Sequence, residues 1–225
     1  IARVIPGDPA RVALGPNATA EQVSALREML RLDDPVPLQY LHYMGRLFQG
    51  DLGISLYTNR PVTTDIAEFL PATLELILLA GVMMVAIGLP LGILAARYRG
   101  RWPDHLVRIA ALLGVSAPSF VWAVVLMLIF GFWLQWLPIQ SRLHDSFTIA
   151  PVTGFMLIDT LIAGNLAAFG NAISHLILPA FALALSGIGQ AARLTRANMI
   201  ETYDKPYIEM ARAYGFPEGR IARRY

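Results

Sequence analysis

Three long stretches of this chain carry no charged residue, and polar segments rich in proline and glycine separate them. Residues 76–96 run 21 positions without a charge, 109–137 run 29, and 176–192 run 17. At a rise of about 1.5 Å per residue, 21 helical residues reach roughly the 30 Å thickness of a bilayer's hydrocarbon core. The first stretch, with Glu75 at its start and Arg97 at its end, predicts one spanning helix. The second is longer than a span needs and is divided by Ser116, Ala117 and Pro118, which predicts a kink or a long tilted helix. Trp133 and Trp136 near its end suit an interfacial aromatic belt. The third stretch is the shortest acceptable span.

Residues 1–71 differ in texture. ATAEQVSALREMLRL predicts an amphipathic helix: Thr19 with Gln22 forms an N-terminal capping box, and Val23, Leu26, Met29 and Leu30 repeat at the helical period. A second short helix follows from Leu38, then a turn at Gly50 and Asp51. This segment reads as a small folded extramembrane layer. Residues 147–174, FTIAPVTGFMLIDTLIAGNLAAFGNAIS, are apolar but broken by Pro151, Gly154, Asp159, Gly164, Asn165, Gly170 and Asn171. Lipid cannot satisfy the backbone such residues expose, so a surface or re-entrant segment is expected in place of a span.

Charge gives an orientation. Residues 97–108 hold four Arg and one Asp, and 193–225 hold 7 Lys or Arg and 4 Asp or Glu, whereas 138–175 hold one Arg and two Asp. The positive-inside rule places 97–108 and 193–225 in the cytoplasm, with 1–71 and 138–175 outside. Three spans, at about 72–97, 107–137 and 174–193, alternate correctly under that assignment, with an outer loop at 138–173 and a cytoplasmic region at 194–225.

Composition agrees: 56% of residues are hydrophobic and 15% charged, against about 25% charged in soluble domains, and mean hydropathy is +0.52. A net charge of +2 gives no indication of a nucleic-acid partner. Cysteine is absent, which excludes disulfides and thiolate metal sites, and the four histidines form no HxxxH pair. No nucleotide-binding loop, nucleophile elbow or zinc-protease motif is present. The chain starts at Ile1 without a signal peptide and stops inside the helix-compatible run RIARRY, so a fragment open at both ends is expected.

Glu75 stands at a span edge. It reads either as a polar lining or relay group or as an interfacial first-turn acid favoured by a helix N-terminus. Small residues recur in the spans: Gly81, Gly88 and Gly92; Gly114 and Ser116; Ala180, Ala182, Ala184, Ser186, Gly187 and Gly189. They predict close helix packing in a multi-helix assembly, although Pro90 inside the Gly88–Gly92 spacing argues against a simple dimer face.

Near the end lies EMARAYG, residues 209–215. Pro206 opens a short helix and Gly215 closes it. Tyr207, Met210, Ala211 and Tyr214 fall on one face, with Glu209 and Arg212 towards the other. Pro217 then starts a second helix, EGRIARRY. A helix lying on the bilayer surface is the blander reading. The small residues Ala211 and Ala213 favour close protein contact instead.

Glu209, Ala211 and Gly215 resemble the first half of the EAA loop of bacterial ABC-importer permeases. IPGDPA (5–10), GDLGIS (50–55), LPATLEL (70–76), HLILPAFALAL (175–185) and RLTRANMIE (193–201) resemble, in order, the dipeptide, oligopeptide and nickel permease family, and within it the first of the two permease subunits. Met210 departs from the family's middle alanine, Tyr214 stands where lysine is frequent, and the I-x-L-P end of the loop is not present. The resemblance implies an all-α membrane protein with the type I ABC-importer transmembrane fold, three of about six spans being present and the first and last two lacking. It implies a bacterial inner-membrane permease that moves peptides, nickel chelates, glutathione or a related solute. The partners it implies are a second homologous permease, two cytoplasmic ATP-binding subunits, an extracytoplasmic binding protein and the lipid bilayer. ATP and magnesium would belong to the ATP-binding subunits, leaving this chain without catalysis or cofactor. The docking helix would use Tyr207, Glu209, Met210, Ala211, Ala213 and Gly215. The rival classes are a secondary transporter and a non-transport membrane scaffold; neither an inverted repeat nor an ionisable midplane site supports the first.

Overall fold

The computed structural model describes residues 8–15, 18–29, 31–55, 57–58, 60–217 and 219–221. Their regular structure is helical, apart from one isolated antiparallel bridge between Ile54 and Pro61. The chain divides into two units, Ile1–Leu70 and Pro71–Tyr225.

In the first unit, Asp8 caps α1 (Pro9–Leu14) by accepting a hydrogen bond from Ala10 N at 3.1 Å. Helix α2 (Ala20–Met29) starts on the predicted capping box: Thr19 N donates to Gln22 Oε1 at 3.0 Å, and Gln22 N donates to Thr19 Oγ1 at 3.2 Å. Val23 of the predicted stripe is buried; Leu30 lies outside the described residues. Helix α3 (Val36–Phe48) begins two residues before Leu38, because Pro35 and Pro37 carry the φ that a first turn needs and no helix N–H is lost there. The buried Gln39 amide donates to Leu32 O at 3.0 Å and Asp34 O at 2.8 Å, tying α3 to the turn before it. Tyr40, Leu41 and Phe48 remain exposed. The turn at Gly50 and Asp51 forms as expected, with Asp51 Oδ1 accepting from Gly53 N at 2.8 Å.

Helix α4 (Val62–Arg97) has 36 residues. The expected boundary between polar layer and span, near residue 71, is not a helix boundary: the helix runs through Pro71, and again through Pro90. At about 1.5 Å per residue it is roughly 54 Å long, well beyond the hydrocarbon core.

The second unit is built around α8 (Leu166–Tyr203), 38 residues long and about 57 Å by the same rise. Asn165 caps it by accepting from Ala168 N at 2.9 Å, so it starts eight residues before the predicted span, and Gly170 and Asn171 sit inside it. Facing α4, Ala180, Ala184 and Ile188 pack with Ala80, Leu76, Met83, Met84 and Ile87. Ala192 meets Ala95 of α4 and Val107 of α5 (Trp102–Ser116). Leu178 and Ala182 meet Leu126 of α6 (Ser119–Leu126), Trp122 and Phe130.

The small residues let these backbones approach. A Cβ on Gly92 would lie 2.5 Å from Thr195 Cβ and 2.6 Å from Ala192 O; one on Gly189 would lie 2.7 Å from Ala111 O. Gly88 likewise faces α8, against Ala191 and Ile188. The Gly88–Gly92 pair therefore serves packing within this chain, while Gly81 faces open space.

The second uncharged stretch departs from expectation. It is not one kinked or tilted helix: α5 and the segment Ser119–Trp133, whose last residues Met127–Trp133 are π-helical, meet at a bend of 106°. Pro118 forces the preceding residue out of the helical region, and Ala117 is extended at φ −121° and ψ 148°. Among the described residues, two helices, α4 and α8, are long and apolar enough to cross a membrane, and the bent pair makes a third if it is one span. Between residues 147 and 165 the only helix is α7 (Met156–Ile162), far too short to cross.

Candidate functional site

Helix α9 (Pro206–Ala213) follows α8 after Asp204 and Lys205. Pro206 occupies its first turn, and the end is a Schellman motif: Phe216 N donates to Ala211 O at 3.1 Å and Gly215 N to Arg212 O at 2.9 Å, with Gly215 at φ +79°. A side chain at Gly215 would be strained there although the space around it is open.

The helix is seated by an aliphatic stripe. Ile208 and Ala211 are buried against Ile221, with Tyr203 of α8 packed alongside and the Arg212 guanidinium 5.8 Å from the Tyr203 ring centre. Ile221 follows the start of the second helix predicted after Pro217; residues 222–225 lie outside the described residues. Outside that seat the helix is open: Tyr207 is 49% exposed, Met210 60% and Tyr214 77%, and Glu209, Ala213 and Gly215 are exposed as well. Five of the six predicted docking residues thus face outward. Ala211 does not; it belongs to the seat, so it offers no room to a partner. Sequence reasoning missed Ile208 and Ile221. Their signal was the i, i+3 pair of Ile208 and Ala211, which the larger stripe of Tyr207, Met210 and Tyr214 overshadowed.

Glu75 lies four turns inside α4, not in a first turn. It is buried, and its carboxylate pairs with Arg142 Nη2 at 2.8 Å and accepts from Leu157 N at 2.7 Å. Leu157 is the second residue of α7, so a helix N-terminus does stabilise the acid, but it belongs to another helix. Arg142 also donates to Gly154 O at 3.1 Å. Asp159 organises the same loop by accepting from Val152 N, Thr153 N, Thr153 Oγ1 and Gly154 N. The Thr153 hydroxyl, with these backbone donors, holds the Asp159 carboxyl below the usual carboxylate range. Its hold is therefore complete above the ordinary carboxylate pKa and is lost only as pH falls through the lower folded value. We expect Asp159→Ala to open residues 152–154 to protease at neutral pH. The parent loop should resist pepsin down through the ordinary carboxylate range. Equal cleavage of variant and parent would contradict this role.

Residues 88–225 match the family described as binding-protein-dependent transport system inner membrane component. The chain belongs to that family. Residues 1–77 match the N-terminal part described for such membrane components. Among family members, the chain is 46% identical over 218 residues to a probable D,D-dipeptide transport system permease of Escherichia coli, covering 96% of this chain and 64% of that protein. It is 41% identical over 220 residues to a di/tripeptide transport system permease of Pseudomonas aeruginosa, covering 97% and 66%. It is 35% identical over 216 residues to a glutathione transport system permease of Salmonella typhimurium, covering 96% and 61%. The chain thus spans slightly under two thirds of the length of these relatives. Membership makes it an inner-membrane component of a transport system.

Proposed function

We propose that this chain is a permease subunit of an ATP-driven, binding-protein-dependent importer of short peptides, and that α9 docks an ATP-binding subunit. The observation that carries the reading is the two-sided build of α9. A helix merely resting on its own chain would not need Tyr207, Met210 and Tyr214 exposed together beside the seat. Aromatic and methionine side chains grouped on one rigid surface are what protein interfaces favour. The named substrates of the relatives, dipeptides, tripeptides and a glutathione, share the chemistry of short peptides.

The partners in this reading are a second permease, two ATP-binding subunits that carry ATP and magnesium, and an extracytoplasmic binding protein received by residues 1–71, where Tyr40, Leu41 and Phe48 offer an apolar surface. The fold is the type I importer arrangement, and residues 72–225 supply three of about six spans. Closure of the ATP-binding subunits would move α9, and α8 would carry that motion into the membrane. Solute would bias the inward–outward switch only by its differential affinity for the two states.

Capture of the ATP-binding subunits by the full-length permease, and its loss when the outer face of α9 is charged, tests this function. Orientation has its own test. Cysteines replacing Gly100 and Arg220, both exposed, should label with an impermeant maleimide only from the cytoplasmic side. Labelling of either from outside would overturn the topology.

A further inference from the structure

Two ion pairs bind the connection between α4 and α5 to the far end of α8. Arg196 of α8 reaches Asp104 of α5 through both arms of its fork, Nε to Oδ1 at 2.6 Å and Nη2 to Oδ2 at 2.7 Å. The Asp104 side chain is 1% exposed and that of Arg196 23%. Gly100 N adds a third hydrogen bond to Asp104 Oδ2 at 3.0 Å, so the carboxylate also fixes the turn before α5. Further along α8, Asp204, which ends that helix two residues before Pro206, receives Arg99 Nη1 at 3.4 Å. Thr195, the neighbour of Arg196, is pressed against Gly92 of α4.

We propose that Asp104 and Arg196 are positioning residues for energy coupling. They lock the start of α5 to the part of α8 that carries α9, so that a displacement of α9 turns α5 and α8 together. The proposal rests on the reading of α9 as the docking helix.

The chemistry favours this role over simple glue. An apolar contact of equal volume would hold two helices together as well as a buried ion pair does. What a bidentate fork adds is direction: the planar guanidinium and the carboxylate accept one relative orientation and resist sliding. The pair also stands in the right place. From Arg196 to Tyr203 the helix is unbroken, and Tyr203 packs on the Ile208, Ala211 and Ile221 seat of α9. The path from α9 therefore runs through Tyr203 and the unbroken helix to Arg196 and Asp104. Physical continuity alone does not establish coupling, so the test measures coupling itself.

The test uses the full-length permease, assembled with the second permease and both ATP-binding subunits in proteoliposomes and supplied with its binding protein. Arg196→Gln should leave capture of the ATP-binding subunits and ATP hydrolysis intact, and lower peptide uptake per ATP about tenfold. Arg196→Lys keeps the charge but gives up the fork, and should fall in between, at a loss of about threefold. Should the Gln variant not assemble, the Lys variant decides: an unchanged uptake per ATP overturns the proposal. A parallel fall of capture, hydrolysis and uptake in the Lys variant would reveal a merely structural pair and also overturns it. Failure of the docking reading is recognised separately, as capture that survives charging the outer face of α9.

Discussion

Leucine at Gly189 is expected to leave the full-length permease poorly assembled, with little folded protein recovered from the membrane. A Cβ there would lie 2.7 Å from Ala111 O and 3.2 Å from Ala111 Cα, both backbone atoms of α5. No rotamer change can relieve such a clash, so α5 and α8 must separate. Overpacking in cores costs about 1–3 kcal/mol, and clashes against backbone stand at the upper end or above it. Separation would also pull Ala192 from Val107 and stretch the Asp104–Arg196 fork. Gly81→Leu is the matched control, because a Cβ there meets nothing within 4 Å. Thermal unfolding in detergent, followed by size-exclusion chromatography, should separate the two variants by many degrees. Equal behaviour would mean that close approach of α5 and α8 is not what holds the bundle.

The second large effect is expected at Glu75. Removing one partner of a fully buried ion pair costs about 3–5 kcal/mol; the Arg142 side chain left here is 35% exposed, so the cost is expected to fall below that range. Glu75→Ala would strand Arg142 and also take the acceptor from Leu157 N at the start of α7. Glu75→Gln keeps an acceptor for one of these donors and should be the milder change. The start of α7 should lose protection in hydrogen exchange before α8 does, since Glu75 holds Leu157 N there, while residues 152–154 keep their Asp159 contacts. A Glu75→Ala permease as stable as its parent would show that the acid is dispensable to the fold.

Much of the fold was legible because hydrophobic periodicity and capping act locally. The Thr19–Gln22 box, the Gly50 turn and the Gly215 stop each depend on a few adjacent residues, and each formed as read. The small residues of α8 announced close packing, and Gly189 and Gly92 show where it occurs. What was not legible depends on distant partners. The charge-free window 109–137 could not say whether Pro118 bends a helix or ends one; the extended Ala117 gives the 106° turn. Glu75 looked like a first-turn acid because a charge marks the end of a hydropathy window, yet helices continue past charges when these are paired, as here with Arg142. Asp104 and Arg196 stand 92 residues apart, and no local pattern joins them. In α9 the period correctly grouped Tyr207, Met210 and Tyr214, but periodicity does not say which face is seated. Ile208 and Ile221 decide that, and they turn Ala211 inward.

The central claim is that the open face of α9 holds an ATP-binding subunit. The most direct measurement is capture of those subunits by affinity-tagged full-length permease carrying Tyr207→Asp and Met210→Asp together, both on the exposed face. If Tyr207 and Met210 anchor that interface as proposed, each should contribute about 2 kcal/mol or more. Capture should therefore fall at least tenfold, while the permease still inserts and still pairs with the second permease. Capture at the parent's level, from a permease present in equal amount, would contradict the account.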